Sequence, residues 1–211
     1  MRVRRGRLVT IEGGEGAGKS SVLAELRAAL AAAGHEVVVT REPGGTPTAE
    51  AIRALMLDPA HAGMAAEAEL LLAFAARAQH VHECVLPALA RGATVLSDRF
   101  TDASFAYQGA GRGIPTQRIA ELERWAARVR PDLTLLLDVG VAQGLERARS
   151  RGGEPDRIER EQDGFFERVR GAYLARAAAE PARFRVIDAT RPQAEVAAAV
   201  RAVLHAWLGE A

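Results

Sequence analysis

The segment Gly13-Gly14-Glu15-Gly16-Ala17-Gly18-Lys19-Ser20 constrains this chain more than any other. It satisfies G-x-x-x-x-G-K-[ST], and it lies between an apolar strand candidate at 8–11 and a helical stretch over 20–33, which is the context the motif requires. Glycines let successive backbone N–H groups curl around a phosphate without Cβ clashes. The start of the following helix adds partial positive charge. Lys19 can reach terminal phosphates, and the Ser20 hydroxyl can ligate Mg²⁺. Lys19 is also the only lysine among 28 basic residues, so it survives a strong bias toward arginine. The predicted nucleoside triphosphate site is therefore Gly13, Gly14, Glu15, Gly16, Ala17, Gly18, Lys19, Ser20 and Ser21.

Around this loop, short β-rich apolar runs alternate with helical stretches. Strands are predicted at 8–11, 37–40, 94–97, 133–137 and 184–187, and helices at 20–33, 48–57, 67–91, 115–130, 141–149, 165–179 and 192–208. Pro87 should kink or break the longest helix near its end. The run at 133–137 does not alternate, so that strand should be buried on both faces. The alternation predicts an α/β fold with a parallel sheet covered on both sides by helices. With no repeat and no linker, residues 1–211 read as one domain, and the Gly/Pro-broken, arginine-rich stretch at about 149–162 is its one expected mobile element.

Composition narrows the class. The chain has 211 residues, 48% of them apolar, with 28 basic against 27 acidic residues and a net charge of +1. That balance does not suit bulk nucleic-acid or membrane binding. No apolar run approaches the ~20 residues of a membrane span. Cys84 is the only cysteine, which excludes an intrachain disulfide and a Cys-based zinc site. The expectation is a cytoplasmic protein. One committed lysine also leaves none for the Asn-Lys-x-Asp guanine reader of GTPases.

In open parallel sheets, ligands gather at the carboxyl ends of the strands. Three segments fall there or nearby: Arg41-Glu42-Pro43-Gly44-Gly45-Thr46, Asp98-Arg99-Phe100 with Tyr107-Gln108-Gly109, and Phe74-Ala75-Ala76-Arg77-Ala78-Gln79-His80 within the long helix. Phe74 offers a flat face on which a pyrimidine could stack, worth about 1–3 kcal/mol. Arg77 can donate to a base carbonyl, accepting thymine or uracil at a position where the cytosine amine would be repelled. Arg41 and Arg99 suit a phosphate dianion, which guanidinium forks bind bidentately.

Taken in order and spacing, the set resembles the bacterial thymidylate kinase (dTMP kinase) family over nearly the whole chain. The resemblance implies a nucleoside monophosphate kinase fold, with a five-stranded parallel sheet, flanking helices and a lid, usually as a homodimer. It implies transfer from ATP to dTMP, giving ADP and dTDP for dTTP synthesis. It assigns Arg41, Pro43, Phe74, Arg77, Arg99, Ser104, Tyr107 and Gln108 to dTMP, with Tyr107 where a ribose 2′-OH would lie, and gives Glu15 a role near the sugar and the metal. Mg²⁺ would be held by Ser20 and, indirectly, by Asp98. One subclass carries a catalytic arginine in the phosphate loop; residues 14–17 contain none here, so the resemblance implies the subclass in which the lid supplies it, through Arg149 or Arg151. Together with Lys19, Arg99 and Glu15 these form the expected catalytic set. Arg157 is expected to anchor the lid through Asp156. Two other readings stay open on the residues alone: a kinase for a different small acceptor, and a slow ATP-hydrolysing switch with no acceptor pocket.

Overall fold

A computed structural model of the chain describes residues 5–150, 152 and 154–209. Five parallel strands form one sheet in the order β2-β3-β1-β4-β5. They are β1 (Leu8–Glu12), β2 (Val37–Arg41), β3 (Thr94–Asp98), β4 (Leu133–Asp138) and β5 (Phe184–Asp188). β1 is central, pairing Leu8 with Val95 on one side and Val9 with Leu133 on the other. Its five residues are all buried, as the non-alternating apolar runs require.

The helices are α1 (Lys19–Ala32), α2 (Pro47–Leu57), α3 (Ala66–His80), α4 (Leu86–Ala90), α5 (Thr101–Ser104), α6 (Thr116–Leu122), α7 (Val141–Ser150), α8 (Asp163–Ala179) and α9 (Gln193–Gly209). Leu23, Leu26 and Leu30 of α1 pack with Val200 and Leu204 of α9 on one face of the sheet. On the other, Phe165, Phe166, Val169 and Tyr173 of α8 close over Leu136 and Phe184.

Three helical predictions are refined. The long helix runs on to Ala90, and the disturbance expected from Pro87 is a π turn over Val81–Val85 just ahead of it, which accommodates a residue lacking an N–H. The helix predicted at 115–130 ends at Ala127, where Arg128 adopts a left-handed φ of 58°. Residues Thr101–Gly111, for which no helix was predicted, are helical: α5 continues into a π segment at Phe105–Gly111.

Candidate active site

Parallel pairing brings the carboxyl ends of β1, β2 and β3 to one edge of the sheet. Backbone bonds tie them there: Arg99 N–H donates to Ile11 O at 2.9 Å and Glu42 N–H to Asp98 O at 2.9 Å. The phosphate loop leaves β1 and enters α1 through Gly18, which is left-handed at φ 90°. No side chain caps α1, and its first turn holds no acidic residue. Its leading N–H groups are thus left to an anion. Gly16 is required by contact as well as conformation: at φ +67°, a Cβ there would fall 1.9 Å from Gly144 O.

Beside the loop lies a cavity of about 290 Å³. Glu15, Gly16, Ala17, Gly18, Lys19 and Ser20 form its donor wall, and Pro43, Asp98, Arg99, Ser104, Tyr107 and Gln108 line the rest with Glu42, Arg53, Ala73, Arg77 and Phe100. Gly13, Gly14 and Ser21 border neighbouring recesses of the same loop. The Lys19 ammonium donates to Gly14 O at 3.0 Å and Gly13 O at 3.3 Å, and burial and the nearby Arg99 lower its pKa. Arg99, at a left-handed φ of 67°, donates to Gly13 O at 2.9 Å, Glu15 Oε1 at 2.8 Å and the Tyr173 hydroxyl at 3.2 Å. Its guanidinium lies 4.7 Å from the centre of the Tyr107 ring, whose hydroxyl donates to Glu15 at 3.0 Å. Burial opposes the Arg99 charge, yet Tyr107, Glu15, Tyr173 and Asp98 hold its pKa well above the ordinary value.

Under this layer sits Glu12, fully buried. Its carboxyl group bridges Phe100 N–H at 2.8 Å and the Tyr173 hydroxyl at 2.7 Å. Burial first, and then Asp102, push its pKa up to about 8 against the opposing pull of Arg99.

Arg77 is buried with its donors partly spent: Nε on Glu42 at 2.7 Å, Nη1 on the Ser104 hydroxyl at 3.0 Å and Nη2 on Phe100 O at 3.0 Å. A guanidinium carries five N–H donors, so two remain. Gln108 donates to Glu69 at 2.8 Å, and Glu69 also accepts from Arg157 at 2.6 Å. The expected Arg157–Asp156 anchor is corrected: Arg157 donates to Glu69 and Met56 O, while Asp156 caps Ile158 N–H and Glu159 N–H.

Two further expectations are corrected. Phe74 does not form the cavity wall; its ring packs with Leu70, Phe105, Ile119 and Ala126 and lies under Arg77, 4.4 Å from its guanidinium. Ala73, four residues before Arg77, holds the wall position instead. Arg41 is paired bidentately with Glu50 at 2.8 and 3.0 Å and is half exposed. The basic residue on that wall is Arg53 of α2, which donates to Pro43 O at 2.9 Å. Glu50 sits three residues before Arg53 on α2, a spacing at which those two could have paired, but the carboxylate goes to Arg41 and leaves Arg53 for the cavity. Tyr173 and Glu69, which with Glu12 hold the site residues from behind, carried no motif that sequence could read.

Arg149 is exposed at the end of α7 and borders a separate recess with Pro155 and Arg160; it is not brought to the cavity in this conformation. Arg151 lies outside the described residues. Asp138, the other strand-end carboxylate, pairs with Arg170 at 2.8 Å.

A sequence model of the family described as thymidylate kinase matches residues 11–200. A thymidylate kinase of Pseudomonas savastanoi pv. phaseolicola is 55% identical over 94% of this chain and 95% of its own length. One from Chromohalobacter salexigens is 57% identical over 96% of this chain and 98% of its own length. The crystal structure of thymidylate kinase from Ehrlichia chaffeensis superimposes with a TM-score of 0.77 at 31% identity, covering 95% of this chain and 99% of that one.

Proposed function

The chain belongs to the thymidylate kinase family and is an ATP-dependent kinase converting dTMP to dTDP; from that premise we propose which residues do what. The observation that carries the assignment is one cavity walled by the phosphate loop on one side and by Arg53, Arg77, Arg99 and Tyr107 on the other.

The loop from Gly13 to Ser21 grips the ATP phosphates, with Lys19 at the terminal one. The adjoining open groove, lined by Gly18, Ser21, Arg147, Arg191 and Gln193, receives the nucleoside. The dTMP phosphate lies against Arg99 and Arg53, with Arg41 shaping the wall through Glu50. Arg77 and Ser104 meet the thymine edge, Pro43 and Phe100 flank the ring, Tyr107 occupies the deoxyribose 2′ side, and Gln108 closes the far wall. Phe74 acts by supporting Arg77 rather than by stacking on the base. A one-methyl difference limits discrimination against dUMP to roughly 10–200-fold.

Phosphoryl transfer asks for in-line positioning, exclusion of water and neutralised charge more than for covalent help. Lys19 and Arg99 supply cations on either side of the transfer line, and Glu15 orients both Arg99 and Tyr107. Arg149 and Arg151 complete the charge when the 149–162 segment folds over the site. The residues fit Mg²⁺: Asp98 Oδ1 is a buried oxygen without a hydrogen-bond partner, and the Ser20 side chain borders the same cavity. When bound, the ion would be held by Ser20 and, indirectly, by Asp98, and would offset the charge of the phosphates.

Residues 1–211 act as one domain. A homodimer is supported by exposed Leu55, Leu71 and Trp125 on α2, α3 and the π segment after α6, elements that pack together. No helix among the described residues is long and apolar enough to cross a membrane. We place the enzyme in the cytoplasm, feeding dTTP synthesis, because ATP and dTMP are small soluble nucleotides and its one cysteine is unpaired. The test is coupled ADP release with dTMP, dUMP, dCMP, AMP and shikimate. dTMP should be the best acceptor; a dTMP rate no better than the others overturns the assignment.

A further inference from the structure

Behind the acceptor cavity a buried polar chain runs away from Arg77. Glu42 accepts Arg77 Nε–H through Oε2 at 2.7 Å, and its other oxygen lies 2.9 Å from His80 Nδ1. The second imidazole nitrogen, Nε2, lies 2.6 Å from the Thr40 hydroxyl. The side chains of Arg77, Glu42 and His80 are at most 4% exposed. Arg77 and Glu42 border the cavity, whereas His80 stands one layer back.

The terminal torsion of a glutamate is broad and roughly two-fold. A carboxylate held only by Arg77 could therefore rotate, and the guanidinium would lose its aim. His80 grips the opposite oxygen and removes that freedom. A buried imidazole is costly unless both nitrogens find partners, and here both do. Burial pulls the pKa of His80 down, but bonds with Cys84, one turn along the same helix, and with Glu42 raise it to about 9. His80 thus carries its proton at neutral pH and faces one oxygen of Glu42, while Arg77 grips the other. The glycine loop is moulded onto the same ring. Gly45 has φ +84°, and a Cβ there would come within 2.7 Å of His80 Cδ2 and 2.4 Å of Thr40 Oγ1.

We propose that His80 is a positioning residue for pyrimidine recognition: it locks Glu42, and Glu42 aims the Arg77 guanidinium at the acceptor base. This rests on the assignment of Arg77 to the thymine edge made above. Steady-state kinetics on the full-length enzyme separate the two ideas. Arg77→Gln should raise KM for dTMP by about 100-fold or more, since it removes a charged donor. His80→Gln should raise KM for dTMP about tenfold, with KM for ATP within about twofold and kcat within about threefold. The double variant should be no worse than Arg77→Gln alone, because His80 acts through Arg77. Thr40→Val, which keeps the shape and frees only the far nitrogen, should give a smaller rise in the same single parameter. A normal KM for dTMP in Arg77→Gln overturns the base assignment. An impaired Arg77→Gln beside a folded His80→Gln or Thr40→Val with unchanged KM for dTMP, or with both KM values raised equally, overturns the role of His80.

Discussion

The Arg99 guanidinium donates to the carbonyl of Gly13 at 2.9 Å, so the end of β3 is strapped to the loop that leaves β1. The residue proposed to hold the acceptor phosphate thereby also shapes the donor loop. Replacing Arg99 with Lys keeps a charge but loses the fork that reaches Gly13, Glu15 and Tyr173 together. Arg99→Lys should lower kcat/KM for dTMP by at least about 10²-fold, against a smaller change in ATP affinity, as read by steady-state kinetics and by titration of an ATP analogue.

Lys19→Ala should reduce kcat by at least about 10²-fold, because no second lysine exists to replace it. The variant should still melt cooperatively, since among the described residues Lys19 hydrogen-bonds to the carbonyls of its own loop. Single-turnover measurements with saturating dTMP check this.

Phe74 tests core against shelf. Phe74→Ala should cost about 3–5 kcal/mol of stability. Phe74→Leu should cost under about 1.5 kcal/mol and leave KM for dTMP within about threefold. A tenfold rise in that KM with an intact fold would mean that the ring contacts the base after all.

Of the two arginines flanking Glu50, Arg53→Met should raise KM for dTMP by about tenfold or more, whereas Arg41→Met should change it by less than about threefold. The difference reflects one guanidinium on the cavity wall and one already paired in solvent, where ion pairs contribute little.

Glu12 makes stability depend on pH. Its pKa in the folded chain is raised from 4.5 to about 8, so between those values the native state binds more protons than the unfolded one. Its contribution therefore falls as pH rises across that window, by up to ~1.4 kcal/mol per pH unit. Glu12→Gln copies the protonated form in carrying no charge, and its carbonyl oxygen still accepts from Phe100 N–H. Urea unfolding between pH 5 and 8 should show a shallower slope for the variant than for the parent chain.

The sheet, its five strands and the anion loop were readable from sequence because each rests on local signals: apolar runs, glycine spacing and helix starts. What was not readable depends on rotation and on long-range pairing. Successive helical residues are about 100° apart, so Ala73 and Phe74 face quite different surroundings. Only the placement of Phe105 and Ile119 decides which of them is core. The helix over Thr101–Gly111 was hidden by two glycines and several polar residues, although Ser104, Tyr107 and Gln108 stand at helical spacing. Arg41 looked available because its partner Glu50 lies on the next element.

β1 is flanked by a strand on either side, with β3 on one hand and β4 on the other. The phosphate cradle therefore hangs from the part of the molecule whose amide hydrogens should be the last to exchange with solvent. An anvil that does not yield lets the few N–H groups that grip the polyphosphate keep their spacing from one turnover to the next.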